Sequence, residues 1–300
     1  MNKKLLIVYY TQSGQLQEIV ESFAAPFVRD NGVAVETLRI YPQHDFAFPW
    51  TSDRFFDAMP ESVNGTPLTL QPLAFKEQSY DLIVIAYQPW FLSPSIPTTS
   101  LLHDTTFIKL LANTPVVTLI GARNMWLNAQ EKIKKLLTDA GARLVGNIAL
   151  LDKNSNLISA VTILHWMLTG RKDKKYGIFP IPGVSEKDIQ GAHVFGSVVL
   201  QHLSQGNLET LQPDLVKTKA TEVDSDLMFI EQRAGRLFSI WSGIITKTKN
   251  RKAWLVVFKY YLLVALFIVA PIVLLINNIL FRPFVGKSIR RKKEYYLGVN

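Results

Sequence analysis

Lys4-Leu5-Leu6-Ile7-Val8-Tyr9-Tyr10, followed at once by Thr11-Gln12-Ser13-Gly14, is the stretch from which the fold can be read. An unbroken apolar run with Val, Ile and Tyr suits a parallel strand covered on both faces. The polar turn that ends it opens a helix, because Leu16, Ile19, Val20, Phe23 and Phe27 recur at helical spacing until Asn31-Gly32. Further strands are expected at 33–40, at 82–87 after Asp81, at 116–121 after Pro115 and at 144–151. A basic amphipathic helix should occupy 128–140 and stop at Gly141, and Ser185 with Asp188 resembles a capping box opening a helix to about Leu203. Strands alternating with helices at this spacing indicate a doubly wound α/β sheet.

Two stretches exceed a minimal five-stranded domain, so residues 1–203 are expected to hold insertions at about 41–80 and 153–184. The first carries Phe46, Phe48, Trp50, Phe55 and Phe56, too apolar a set for a free loop. The second carries a helix over 157–168 and the basic run Arg171-Lys172-Asp173-Lys174-Lys175. Residues 204–250 read as a polar linker and an interfacial piece around Phe238, Ile240 and Trp241.

The end of the chain, 251–300, reads as a membrane attachment. Residues 260–276 hold no charge or strongly polar side chain; Asn277 and Asn278 interrupt the run, and 279–281 resume it. As a helix, 260–281 would be about 33 Å long, close to one hydrocarbon core. Lys247, Lys249, Arg251, Lys252 and Lys259 precede it, and Arg282, Lys287, Arg290, Arg291, Lys292 and Lys293 follow it. Residues 231–300 carry 13 Lys/Arg against 2 Asp/Glu, a charge of +11, whereas 1–230 carry 20 against 22, a charge of −2. That distribution points to an anionic lipid surface and away from nucleic acid. A full span, a returning or in-plane helix kinked at Pro271 and a buried core helix all stay open. The N-terminus does not read as a signal peptide, which leaves the globular part expected in the cytoplasm, at the inner (cytoplasmic) membrane.

The chain has no cysteine, so disulfides, thiolate metal sites and a cysteine nucleophile are excluded. The five histidines have no metal-like spacing, and Ser13 has no His/Asp arrangement nearby in sequence. No metal site and no catalytic residue is therefore named.

Residues 7–14, Ile-Val-Tyr-Tyr-Thr-Gln-Ser-Gly, resemble the phosphate loop of the flavodoxin family. The resemblance implies a flavodoxin-like sheet in the order 2-1-3-4-5 and a noncovalent FMN. Thr11, Ser13, Gly14, Gln15 and Leu16 would surround its phosphate, with hydroxyls, a close backbone and the helix dipole favouring the anion. The family has Asn then Thr where this chain has Gln15 and Leu16, so one hydroxyl is missing. Ligands in this fold lie outside the carboxyl ends of the strands. The loops after the third and fourth strands then supply Gln88, Pro89, Trp90 and Phe91, and Gly121, Arg123, Asn124 and Trp126, to bracket a flavin ring.

The whole chain also resembles a bacterial family known as dialkylresorcinol condensing enzymes. The resemblance rests on Tyr10-Thr11-Gln12-Ser13-Gly14-Gln15-Leu16, Phe48-Pro49-Trp50, Phe55-Phe56-Asp57-Ala58, Ala86-Tyr87-Gln88-Pro89-Trp90-Phe91-Leu92-Ser93-Pro94-Ser95-Ile96-Pro97 and Gly121-Ala122-Arg123-Asn124-Met125-Trp126. It implies a role near aryl-lipid or pigment synthesis. Three functions follow as expectations. The first is an FMN-dependent oxidoreductase or electron carrier acting on a hydrophobic small molecule, supplied by a nicotinamide donor or a partner reductase. The second is a flavin-free adaptor for pathway enzymes. The third is a condensing enzyme that works without cysteine.

Overall fold

The computed structural model describes residues 2–281 and 285–299; Met1, Arg282, Pro283, Phe284 and Asn300 lie outside the described residues, Arg282 of the expected basic flank among them. Five parallel strands, β1 (Lys3–Tyr9), β2 (Val33–Arg39), β3 (Leu82–Tyr87), β4 (Pro115–Ala122) and β5 (Arg143–Leu151), form one sheet in the order β2-β1-β3-β4-β5. Ile7 sits opposite Thr37 on one side and Val84 on the other, so β1 is an interior strand, and β3 is the central one. The helices are α1 (Gln15–Arg29), α2 (Ser52–Asp57), α3 (Met59–Asn64), α4 (Ile96–Leu101), α5 (Thr105–Leu111), α6 (Leu127–Asp139) and α7 (Asn156–Thr169). They continue with α8 (Glu186–Gln205), α9 (Leu211–Lys217), α10 (Ser225–Lys247), α11 (Arg251–Leu280) and α12 (Gly286–Leu297).

Successive strand residues point to opposite faces. Leu5, Ile7, Val84 and Leu119 therefore meet α1 and α8, while Leu6, Val8, Ile83, Ile85 and Ile120 meet α5 and α6. Every residue of β3 is buried, which explains its lack of a polar alternation. On the first face two helix backbones touch: a Cβ on Gly196 of α8 would stand 2.1 Å from the Phe23 carbonyl oxygen of α1. Gly196 is thus an approach site. Gly191 in the same helix has open space around it.

The stretch 204–250 is not a linker. Leu208, Leu211, Leu215 and Ala220 are buried in the first core, and Ala149 N–H of β5 donates to Ala220 O at 2.8 Å. Asn147 N–H also donates to Gln212 Oε1, at 2.7 Å. The edge strand β5 needs cover for its free backbone groups, and this segment supplies it. The sequence hid this because the apolar positions are few and sit among polar ones.

α10 then crosses the second face. Its Glu231, 1% exposed, accepts Asn128 N–H at 2.8 Å, and Asn128 Nδ2 donates to Glu231 O at 2.7 Å. A carboxylate thus caps the start of α6, where the helix dipole favours negative charge. Burial outweighs those bonds and raises Glu231 from the ordinary 4.5 to about 7.

Two outcomes are expected. Gly196→Ala should lower unfolding free energy by about 3 kcal/mol through overpacking, whereas Gly191→Ala should be neutral or stabilising by up to about 1 kcal/mol, both read by denaturant unfolding. The folded protein holds the Glu231 proton more tightly than the unfolded chain does, so between about pH 4.5 and 7 stability should fall as pH rises, then level off. Glu231→Gln should flatten that dependence; an unchanged slope would assign it to another group.

Candidate functional site

The strand order reverses between β1 and β3, and there the connections leave for opposite faces of the sheet. At that carboxyl edge Gly14 takes the left-handed conformation, with φ 90°, and starts α1. Gly14 N–H donates to Thr11 Oγ1 at 3.1 Å, closing the turn. Gln12 takes the Tyr10 hydroxyl and donates from Nε2 to Phe46 O at 2.8 Å, tying the turn to the first insertion. Gln17 N–H and Glu18 N–H both donate to Gly14 O, at 3.0 and 3.2 Å, which leaves the amides of Gln15 and Leu16 as the first of α1 without an acceptor in the helix.

The two insertions lie over this edge and hold one another. Trp50 N–H donates to Met167 O at 2.8 Å. Gln15 of α1 grips the second insertion both ways: its Nε2 donates to Val184 O at 3.1 Å, and its Oε1 accepts Val184 N–H at 3.0 Å. Gly183, with φ +84°, allows this approach, since a Cβ there would meet Gln15 Oε1 at 2.7 Å and Trp166 at 2.9 Å.

Between turn, sheet and insertions lies a cavity of about 210 Å³. Ser13, Gln15, Leu16, Gln88, Pro89, Trp90, Phe91, Gly121 and Arg123 line it, as do Gln12, Trp50, Phe55, Ile163, Trp166 and Met167. Its aromatic wall is continuous: Trp50 and Trp90 have ring centroids 5.4 Å apart, Trp50 and Phe55 6.0 Å, and Phe55 and Phe91 5.0 Å. Trp50 Nε1 and Gln88 Nε2, on two lining residues, are buried donors without a partner among the described residues. Such atoms cost free energy unless something accepts from them. Arg123 is the one ionisable residue among those lining the cavity. It donates to Asn156 O at 2.9 Å and Ser159 Oγ at 3.2 Å. Desolvation lowers it to about 10 against the pull of Asp152, so it stays charged at neutral pH.

Four expected residues do not line the cavity. Thr11 is buried and its Oγ1 accepts Gly14 N–H, and Gly14 itself only shapes the turn. Asn124 donates to Asn156 Oδ1 at 2.8 Å and faces a different hollow, beyond β5. Trp126 is 2% exposed and packs in the core of the opposite sheet face, because the loop turns downward there to start α6. Leu16 does line the cavity but lies in the core, its Cδ1 3.1 Å from where a Cβ on Gly121 would stand. The residues of α7 were missed. Its pattern carried little signal: Ser159 and Thr162 are buried while Leu157, Ile158 and Leu168 are exposed, so no apolar stripe marks the side that meets the cavity.

No family model and no curated protein matches the chain. Among solved structures it is similar to a flavoprotein in complex with FMN from Lactobacillus acidophilus NCFM, at 18% identity over 50% of this chain and 93% of that one, TM-score 0.40. A flavodoxin from the domain Archaea aligns at 12% identity over 67% of this chain and 99% of that one, TM-score 0.37. Two-electron reduced Megasphaera elsdenii flavodoxin aligns at 15% over 51% and 89%, TM-score 0.30. The fold is flavodoxin-like. That statement rests on the parallel order β2-β1-β3-β4-β5 with helices on both faces.

Gly183→Val should loosen the cover, because the new side chain enters the space of Gln15 and Trp166 on a left-handed backbone. A loss of about 2 kcal/mol is expected, with faster proteolysis between residues 170 and 183.

Proposed function

We propose that this protein binds FMN noncovalently at the carboxyl edge of its sheet, as a membrane-held electron carrier or a reductase of a hydrophobic small molecule. The observation that carries the reading is a juxtaposition. A helix start suited to an anion opens beside an apolar, aromatic cavity with two unpartnered buried donors on its lining residues. Ser13 and the first amides of α1 would hold the phosphate. Trp50, Trp90 and Phe91 would flank the ring, and Gln88 Nε2 and Trp50 Nε1 suit its oxygen and nitrogen edges. Bound there, FMN would supply one- or two-electron redox chemistry. The protein's part is to bind, orient and exclude water. No carboxylate, imidazole or amine lines the cavity among the described residues, so it offers little acid–base chemistry of its own.

The apolar cavity favours a hydrophobic substrate, and the resemblance to the dialkylresorcinol family suggests an aryl lipid. Electrons would come from a nicotinamide cofactor or a partner reductase. The long apolar helix supports attachment to a membrane, which in this reading is the inner membrane at its cytoplasmic face. One observation favours the flavin-free adaptor instead: the Gln15 amide is already engaged with Val184 through both its oxygen and its nitrogen. Condensation without cysteine is disfavoured because, among the described residues, no carboxylate, imidazole or amine lines the cavity to act as a general base.

Titration with FMN should quench tryptophan fluorescence, since Trp50, Trp90 and Trp166 line the cavity. Ser13→Asp should abolish the quench by placing a carboxylate against the phosphate. Quenching that survives Ser13→Asp would put the flavin elsewhere, and protein that never takes up FMN would leave the adaptor.

A further inference from the structure

α11 is apolar, with a mean hydropathy of 2.6 over its best window, yet only 11% of that window is buried. Its two sides differ. Leu255, Phe258, Ala270 and Asn277 are buried against the body. Val257, Tyr260, Val264, Ile268, Ile272, Leu275 and Ile279 are exposed, each by 48% or more, and recur every three or four residues as one stripe.

The helix does not leave the body. It runs back along α10, antiparallel: Trp241 stacks near Tyr261 at 5.0 Å, and Asn278 Nδ2 donates to Asp226 Oδ2 at 3.2 Å. At its start Arg251 makes a two-pronged bond to Glu61, at 2.8 and 2.7 Å, and another to Asp57 at 2.7 Å. Beyond its end α12 returns to the same body. Tyr295 Oη donates to Glu131 Oε2 at 2.8 Å, and Gln212 Nε2 donates to Leu297 O at 2.6 Å. A helix crossing a bilayer would put these two sets of contacts on opposite sides of about 30 Å of hydrocarbon. One body cannot be on both sides.

The geometry points to a monotopic attachment: α11 lies in the plane of one leaflet of an anionic bilayer, its exposed stripe in the acyl chains and both ends held by the globular body. Charge complementarity selects the occupant. Lys247, Lys249 and Lys252 are exposed around the start of the helix, and Lys287, Arg290 and Arg291 just beyond its end. A stripe of apolar residues flanked by cations fits acyl chains below anionic headgroups. Glu222, Asp224 and Asp226 line, with Leu274, a hollow of the body where the start of α10 meets the last turns of α11. The proposal builds on membrane attachment and is independent of flavin binding.

The chain contains no cysteine, so single cysteines report cleanly. Full-length Lys249→Cys, Ile268→Cys and Ser288→Cys proteins, diluted from detergent onto preformed vesicles, would be floated and labelled. Vesicles of phosphatidylcholine with phosphatidylglycerol should capture about tenfold or more protein than phosphatidylcholine alone, with the excess lost at high salt. A fluorophore at Ile268→Cys should shift blue and be quenched by lipid-borne nitroxides. Lys249→Cys and Ser288→Cys should both react with an impermeant maleimide from outside. Protection of Ser288→Cys until the vesicles are lysed would overturn the in-plane arrangement while leaving membrane attachment intact. Failure to float, with light scattering reporting a dimer, would overturn both and make a second copy of the chain the cover of the stripe.

Discussion

A parallel sheet has no face it can leave to water, because the crossovers that join its strands must run over both sides. Most of this architecture follows from that constraint. α1 and α8 close one face so tightly that Gly196 lies against the Phe23 carbonyl, and α5 and α6 close the other. The open edge of β5 is covered in turn by residues 208–221, which lie beyond the minimal five-stranded unit. What remains uncovered is the carboxyl edge, where strands end, helices begin and amides are left without partners.

The two insertions convert that edge from a cleft into a walled cavity. Their grip is polar at the base and aromatic above. Gln15 clasps Val184 with a pair of hydrogen bonds, Trp50 N–H donates to the Met167 carbonyl, and Trp50, Trp90, Phe55 and Phe91 pack edge to face and tilted into one wall. The wall does not stop at the cavity. Phe91 lies 6.5 Å from Phe238 of α10, and Phe238 lies 5.6 Å from Phe258 of α11. The same aromatic set thus runs from the site to the root of the apolar helix.

α11 itself carries the marks of its proline. A π-helical stretch, Ala265–Val269, precedes Pro271 and absorbs the missing backbone donor, so the helix continues with no break in its apolar stripe. Asn277 and Asn278, which interrupt the apolar run, come at the end that turns toward Asp226.

The strands, α1, α6 and α8 were legible in the chain because they depend on local periodicity: apolar runs for buried strands, three-and-four spacing for helices, and Ser185 as a cap that does accept Asp188 N–H. The turn at 11–16 and the loop at 88–91 were legible as a pair for the same reason, since strand ends fix which loops share an edge. The aromatic tail was legible as apolar, and its flanks as basic. Tertiary structure alone decided the rest. Trp126 and Asn124 are near Arg123 in sequence yet leave the cavity, because Asn124 bonds Asn156 and Trp126, at the start of α6, packs into the core of the second face. Trp166 and Met167 reach the site from far along the chain, and α9 and α10 fold onto the body through a handful of contacts such as Glu231 with Asn128. Hydropathy measures how apolar a helix is. Which side of α11 meets protein, and where both its ends are tied, depends on long-range contacts that no local pattern records.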